Sequence, residues 1–143
     1  MMKVKDILRK KGSTVRCISP RKTIKEAIHM LVEFNIGCLL VTENENTVGI
    51  ISERDILRAC NTDMTTVATA PVESYMTKDV IIGTPDDDID AVMAVMTEKK
   101  IRHLPILDGQ KIVGLISIGD VVKSQLHESE HHVHYLRDYI MGA

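Results

Sequence analysis

The sequence predicts a mixed α/β (α+β) fold in which two tandem βαββα motifs pack sheet to sheet in one module with pseudo-two-fold symmetry. Three observations lead to this prediction. The chain has 143 residues, about one ordinary domain, and it is 44% hydrophobic and 27% charged, which is a globular composition. The second half repeats the first at a constant spacing. Within each half, apolar residues recur with strand, helix and strand periodicity in turn.

The repeat has a constant offset and no gap. It pairs Pro20 with Pro85, Ile36 with Ile101, Gly49 with Gly114, Ser52 with Ser117 and Asp55 with Asp120. Between residues 15–56 and 80–121, 11 of 42 positions are identical, where background composition gives roughly three. The sequence therefore predicts one motif over residues 1–65, a second over 66–126, and a helical tail over 127–143.

Each motif opens with a strand and a helix. The strand is Val15–Ser19 in the first copy and Val80–Ile82 in the second, and a proline follows soon after each. The helix has Thr23 or Asp88 near its N-terminus as a candidate cap. Its apolar residues recur every three or four positions, at Ile24, Ala27, Ile28 and Leu31 and again at Ile89, Val92, Met93 and Met96.

A hairpin and a second helix complete each motif. The hairpin strands are Cys38–Val41 with Val48–Ile51, and Leu104–Leu107 with Ile112–Ile116. Asp108-Gly109 is typical of a tight turn, and Glu43–Asn46 is its looser counterpart. The second helices are predicted over Glu53–Cys60 and Ile118–Leu126. The polar segment Asn61–Pro71 is expected to be a linker between the copies.

Charge and hydropathy exclude several classes of function. The net charge of −2 gives no electrostatic case for binding nucleic acid or an anionic membrane, and the lysines near the N-terminus are expected to lie on a solvated face. No apolar stretch approaches the roughly 18 residues of a membrane span, and no signal peptide is evident. The three cysteines are far apart, so we expect small buried or half-buried apolar residues rather than disulfides or a zinc finger. The sequence predicts a soluble, cytoplasmic protein.

The sharpest motif is Gly-hydrophobic-hydrophobic-Ser-x-x-Asp, at Gly49–Asp55 and again at Gly114–Asp120. In each copy a strand ends at the serine, and the aspartate lies in the first turn of a helix. The free N–H groups of a helix N-terminus attract phosphate, and a carboxylate accepts hydrogen bonds from the two hydroxyls of a ribose. The alternative is structural, because an N-cap serine with a first-turn aspartate stabilises a helix by about 1 kcal/mol.

The repeated motif, with Arg102–Ile106 before its second copy, resembles the cystathionine beta-synthase (CBS) domain family over Val4 to Lys123. The resemblance implies that the two CBS motifs form a Bateman module with two clefts for adenosyl ligands: AMP, ADP, ATP, NAD or S-adenosylmethionine. Members of this family act as regulatory sensors and usually have no catalysis of their own. No catalytic residue, required cofactor or resident metal is therefore expected.

The resemblance also implies which residues form each cleft. One cleft would hold the ribose on Asp120 and the phosphate side on Ser117, Arg102 and His103. Its adenine wall and backbone contacts would come from Ile36, Gly37, Thr14, Val15 and Arg16. The other cleft would comprise Ser52, Arg54, Asp55, Asp79, Val80, Ile81 and Ile101. The two clefts are expected to be unequal, because the first copy has Gly37-Cys38 where the second has Arg102-His103.

The expected function is that of an adenine-nucleotide sensor acting on a regulated protein that the sequence does not identify. Two alternatives stay open: an assembly scaffold with unoccupied clefts, and a nucleotide-dependent hydrolase or dehydrogenase. Against the enzyme, the chain has neither a Walker-type loop nor a dinucleotide-binding glycine fingerprint. Modules of this family commonly pair, so we expect a homodimer, with the basic cluster Arg21–Lys25 opposing the acidic cluster Asp86–Asp90 in a head-to-tail arrangement.

The tail has two features. His127, His131 and His134 share one face of a helix, as either a zinc site or a solvated face. An apolar stripe is expected to pack on the module or on a partner subunit; its members are Leu126, Val133, Leu136 and Ile140.

Overall fold

The computed structural model describes residues 2–127 and confirms the mixed α/β class and the tandem repeat. The helices and strands are α1 Val4–Lys11, β1 Cys17–Ile18, α2 Ile24–Phe34, β2 Cys38–Glu43, β3 Asn46–Ser52, α3 Glu53–Thr62, α4 Ile89–Lys99, β4 His103–Asp108, β5 Lys111–Ser117 and α5 Ile118–His127. Two short 3-10 turns, Val67–Thr69 and Val72–Ser74, lie between α3 and α4. Of the predicted tail, only residue 127 is described, as the last residue of α5. The predictions for residues 128–143, including the other two histidines of the histidine face and all of the apolar stripe beyond Leu126, fall outside the described residues.

Both predicted hairpins form, and they share one register. Cys38 lies opposite Ser52 in β2–β3, and His103 lies opposite Ser117 in β4–β5. Each hairpin also has an irregularity at the equivalent position of its first strand. The motif serines therefore end the two hairpins in the same way, each beside the first residue of the neighbouring strand.

The opening strands of the two motifs differ. β1 is shorter than the predicted Val15–Ser19 and runs parallel to β2. The predicted strand Val80–Ile82 is wrong, because the N–H of Val80 bonds to the carbonyl two residues before it, so a turn occupies the start of the segment. The backbone meets β4 only at Gly83, in a single bridge to Ile106.

Of the two predicted helix caps, the one at the start of α2 is confirmed and the one at the start of α4 is not. At α2, the hydroxyl of Thr23 accepts a bond from the N–H of Glu26, whose carboxylate accepts the N–H of Thr23 at 2.8 Å. At α4, Asp88 occupies the N-cap position but its side chain makes no capping bond. The carboxylate of Asp87 instead accepts the N–H of Thr84 at 2.8 Å, which tightens the turn before the helix.

The hydrophobic core consists of two clusters, and each includes residues that precede the other repeat in the chain. Val67 and Val72, between the repeats, pack with α2, β2 and β3 of the first repeat. Val4 and Ile7 of α1 pack with α4, β4 and β5 of the second repeat. The segment Asn61–Pro71, predicted as a linker, begins with the last two residues of α3 and contributes the buried Val67 to the first cluster.

Backbone hydrogen bonds fix this exchange of leading segments. The N–H of Val4 donates to the carbonyl of Asp87 at 3.0 Å. The N–H of Val72 donates to the carbonyl of Lys22 at 2.7 Å. Each repeat is thus completed by a segment that belongs, in chain order, to its neighbour.

The glycine of each Gly-x-x-Ser motif makes room for an exchanged segment. A Cβ atom on Gly114 would lie 2.5 Å from Cδ2 of Leu8, which belongs to α1. A Cβ atom on Gly49 would lie 2.7 Å from the sulfur of Met76. Both glycines are buried, so they are required here for close approach of a side chain to the strand.

Candidate functional site

Both Ser-x-x-Asp sequences form capping boxes. At α3, the N–H of Asp55 donates to the Ser52 hydroxyl at 3.3 Å, and the N–H of Ser52 donates to the Asp55 carboxylate at 2.9 Å. At α5, the corresponding distances between Asp120 and Ser117 are 3.1 and 2.8 Å. The structural alternative from the sequence is thus realised in both repeats, and it uses one carboxylate oxygen, Oδ2, of each aspartate.

Asp55 is buried and is held by neutral groups. Its Oδ2 accepts the N–H of Ser52 and, at 3.1 Å, the Ser52 hydroxyl. Its Oδ1 accepts the hydroxyl of Thr77 at 3.0 Å. Within residues 2–127 no cationic side chain pairs with this carboxylate, and its hydrogen-bond partners belong to Ser52 and Thr77.

Asp120 has a cation as its partner. Oδ2 of Asp120 accepts Nζ of Lys11 at 2.5 Å as well as the N–H of Ser117. Nζ of Lys11 also donates to the carbonyl of Leu115 at 2.6 Å. Burial by itself would raise the pKa of Asp120, but these hydrogen bonds outweigh it and hold the pKa below its ordinary value. Lys11 is exposed, as the prediction of a solvated N-terminal face requires, but its ammonium group is engaged in these two bonds.

A cleft of about 400 Å³ lies between the two repeats. From the first repeat it is lined by Gly37, Ile50, Ser52, Glu53, Arg54, Asp55 and Arg58. Thr77 and the segment Lys99–His103 line its other side. The cleft thus brings together Ser52, Arg54, Asp55 and Ile101, which the sequence placed in one site. It adds Gly37, Arg102 and His103, which the sequence placed with Ser117 and Asp120.

The other predicted site residues do not line this cleft. Thr14 and Arg16 are exposed and Val15 is half-buried before β1, and the guanidinium of Arg16 lies 3.9 Å from the centre of the Phe34 ring. Ile36 and Ile81 are half-buried at the edges of the first and second hydrophobic clusters, respectively. Asp79 is exposed and Val80 half-buried in the turn before Gly83. Ser117 stays with Asp120 at the start of α5.

Positive charge dominates the cleft. Its five cationic side chains are Arg54, Arg58, Lys99, Lys100 and Arg102, against the two carboxylates of Glu53 and Asp55. Within the described residues none of the five takes part in a salt bridge. Arg58, Lys99, Lys100 and Thr77 were not predicted as site residues. Two features of the sequence could have indicated the cationic residues among them: Arg58 lies one helical turn after Arg54, and a pair of lysines directly precedes Ile101.

Lys100 has an unusual backbone conformation. It ends α4 in the left-handed region with φ +56°, as Asn35 ends α2 with φ +52°. Asparagine tolerates this region better than lysine does, because its short side chain can bond to the local backbone. The lysine therefore occupies a position that backbone preference alone would assign to asparagine or glycine, and it is one of the residues that line the cleft.

His103 is a half-buried residue of the cleft. Burial lowers the pKa of His103 below its ordinary value; Lys11 and Arg102 act in the same direction, and the carboxylates of Glu53 and Asp120 oppose them. Its ring and the Glu53 carboxylate approach Gly37 from two sides, since a Cβ atom there would lie 3.1 Å from Nε2 of His103 and 2.8 Å from Oε1 of Glu53. Only glycine leaves this space open between the repeats.

A second cavity of about 540 Å³ lies between α1 and α5, beside the Lys11–Asp120 pair. It is lined by Met2, Asp6, Ile7, Lys10, Lys11, Asp120, Lys123 and Ser124. Within residues 2–127 no group of three metal-ligating side chains comes together, and no helix there has the length and apolar character to cross a membrane.

The chain is similar to known proteins both in sequence and in structure. The model of the CBS domain family matches residues 4–62 and 72–127. A mitochondrial CBS domain-containing protein of Arabidopsis thaliana, CBSX3, is 31% identical over 98% of this chain and 72% of its own length. The crystal structure of a CBS-domain protein of Agrobacterium tumefaciens has a TM-score of 0.85 at 34% identity and covers 87% of this chain and 99% of that one.

One similar structure contains ligands. The CBS domain pair of protein MJ0100, crystallised in complex with 5′-methylthioadenosine and S-adenosyl-L-methionine, has a TM-score of 0.76 at 27% identity. The alignment covers 91% of this chain and 98% of that pair.

Proposed function

Because the chain belongs to the CBS domain family and carries the domain as a tandem pair, we propose that it is a regulatory module that binds an adenosine nucleotide in the cleft of Ser52 and Asp55. The ligands of MJ0100 support an adenosine-containing occupant. The observation that carries the choice of a nucleotide is the excess of cations in this cleft, since phosphate groups are the part of a nucleotide that such a surface binds.

The cleft offers a separate surface for each part of a nucleotide. Arg54 and Arg102 approach from different repeats and would take the phosphates between them. The α3 N-terminus at Ser52 adds the favourable end of a helix dipole. Ile50 and Ile101 are the apolar residues of the lining and would contact the base. A ribose diol would reach Asp55 beside the hydroxyl of Thr77.

We propose a non-catalytic role. The Arabidopsis and Agrobacterium relatives are named for their CBS domains alone. A ligand acts on such a module only if it prefers one of its states, or one state of a complex with a regulated protein. A nucleotide that contacts both repeats favours the state in which the repeats are held at this spacing, and this preference is how it would signal to a partner.

Calorimetric titration of the full chain with ATP, AMP and adenosine tests this proposal. Replacing Arg102 by glutamine removes a charged donor to phosphate, a contact worth roughly 1.5–3 kcal/mol, so ATP affinity should fall about 10- to 100-fold. Adenosine, without phosphate, should lose less than about twofold. Arg9→Gln makes the same charge change on an exposed face of α1 and should leave both affinities unchanged. Equal weakening of ATP and adenosine by Arg102→Gln, or no binding of any of them to the wild type, contradicts the proposal.

A homodimer remains part of the proposal. Exposed apolar side chains on α3 and α5 support it: Leu57 is 70% exposed and its repeat equivalent Val122 is 42% exposed. The charge argument for a head-to-tail arrangement is weaker than the sequence suggested, because Arg21 pairs with Glu43 and Asp86 pairs with Lys5 inside the chain. Light scattering should give twice the chain mass at micromolar concentration, and cross-links between first repeats would exclude the head-to-tail arrangement.

A further inference from the structure

We propose that Lys11 acts as a built-in cation that closes the Ser117–Asp120 site, so that this module takes one nucleotide fewer per chain than its two motifs would allow. The inference rests on the proposed function of the family's Ser-x-x-Asp sites. It concerns a residue of α1, outside the repeated motif, that decides which of the two sites is available.

The contact is built into the fold. Lys11 is the last residue of α1, whose position is set by Val4 and Ile7 in the second core and by Leu8 against Gly114. The ammonium group has two acceptors, the Asp120 carboxylate at 2.5 Å and the Leu115 carbonyl at 2.6 Å. Its side chain is only 33% exposed and that of Asp120 only 22% exposed. The pair is thus sheltered, unlike an ordinary surface salt bridge.

Lys11 occupies one of the two carboxylate oxygens that a ribose diol would use. A diol binds a carboxylate by donating hydrogen bonds to it, and Oδ2 of Asp120 already accepts from Lys11 and from the N–H of Ser117. For a diol to bind both carboxylate oxygens, the ammonium must leave Oδ2 of Asp120. Loss of a charged hydrogen bond of this kind corresponds to roughly 10- to 100-fold in affinity.

In the first repeat the aspartate has no cation as its partner, although both of its carboxylate oxygens already accept hydrogen bonds. Asp55 is bonded by the N–H and hydroxyl of Ser52 and by the hydroxyl of Thr77, all neutral. A hydroxyl can turn to accept a bond from an incoming diol, whereas an ammonium group has no lone pair to offer. The two sites therefore differ in the partner of their aspartate, although their capping boxes are alike.

The test is the number of ATP molecules bound per chain, measured by calorimetry on the full chain. Lys11→Met keeps the aliphatic stem and removes the charge, and it should bind one more ATP per chain than the wild type. Lys10→Met makes the same change on the neighbouring residue, which has no bond to Asp120, and it should bind as the wild type does. Adding Asp120→Ala to Lys11→Met should remove the extra equivalent.

The difference between variants separates this proposal from the proposed function. An unchanged number in Lys11→Met, whatever that number is, overturns the role of Lys11. A wild type that binds none while Lys11→Met binds one supports Lys11 and contradicts nucleotide binding at Asp55. Thermal unfolding checks that each variant is folded. Should Lys11→Met not fold, Lys11→Gln, which keeps a donor for the Leu115 carbonyl, takes its place with the same expected gain.

Discussion

The exchange of leading segments predicts that a mutation in α1 destabilises the second repeat, which lies far along the chain from it. Val4 is the first residue of α1 and is fully buried, with 0% of its surface exposed. It packs in the cluster that contains Ile89, Val92 and Ile116. Val4→Ala removes two methyl groups from that cluster and leaves the charge and the helix unchanged.

The expected cost follows from burial. Removing buried carbons costs about 0.8 kcal/mol each in transfer free energy, and the cavity left behind adds to it. We therefore expect the free energy of unfolding to fall by about 2–3 kcal/mol. For a chain of this size the melting temperature should fall by roughly 5–10 °C. Val32, on α2, is 75% exposed, so Val32→Ala should change the free energy by less than about 0.5 kcal/mol.

Thermal and urea unfolding of both variants measure these costs, and native-state hydrogen exchange locates the loss. The amides of α4 and of the β4–β5 hairpin should exchange faster in Val4→Ala, while Val32→Ala should exchange as the wild type does. If the two variants unfold at the same temperature, or if the faster exchange is confined to α1, then α1 is not part of the second core and the reasoning is wrong.

Three further predictions follow from single contacts. Gly114→Ala should lower the free energy of unfolding by about 1–3 kcal/mol, because its Cβ atom would overlap a leucine of α1. Gly119→Ala, in an open helical position, should not lower it, and urea unfolding compares the two variants. The lowered pKa of Asp120 means that its ionised form stabilises the fold, so the stability advantage of wild type over Asp120→Asn should be full at pH 7 and shrink as the pH falls below about 4; equal advantage at pH 7 and pH 3 would contradict this. Burial raises the pKa of the Cys38 thiol to about 12, so at pH 8 a thiol reagent should modify the exposed Cys17 and leave Cys38 intact until the protein unfolds.

Local pattern was sufficient to predict most elements of this fold. Helices and hairpins depend on periodicity and turn residues within some 15 positions of the chain. Because the repeat has a constant offset, each element could be predicted independently in both copies. The strand over Val80–Ile82 failed because β-branched composition indicates an extended chain but does not show where a turn forms. The expectation that all three cysteines are buried or half-buried is wrong for Cys17, which is exposed on the two-residue edge strand β1. Composition does not distinguish an edge strand from a buried one.

The candidate site was predictable in its residue types and less so in its grouping. Because the two motifs are alike, the sequence cannot show whether Arg102 and His103 face the aspartate of their own repeat or that of the other. Lys11 was missed for a related reason: α1 precedes the first motif but packs on the second, and such an exchange leaves no trace in local periodicity. Long-range packing decides both questions.

The cation cluster has a consequence for the empty module. Arg54 and Arg58 belong to the first repeat, while Lys99, Lys100 and Arg102 belong to the second, so charges of one sign face each other across the boundary. Without a bound anion, these like charges repel one another weakly across the boundary and disfavour close approach of the two repeats. Bound phosphate would reduce this repulsion, and so would salt, since the Debye length shrinks to about 8 Å at physiological ionic strength. Ionic strength should therefore shift the empty protein in the same direction as its ligand, and the difference between the two states should be largest in dilute buffer.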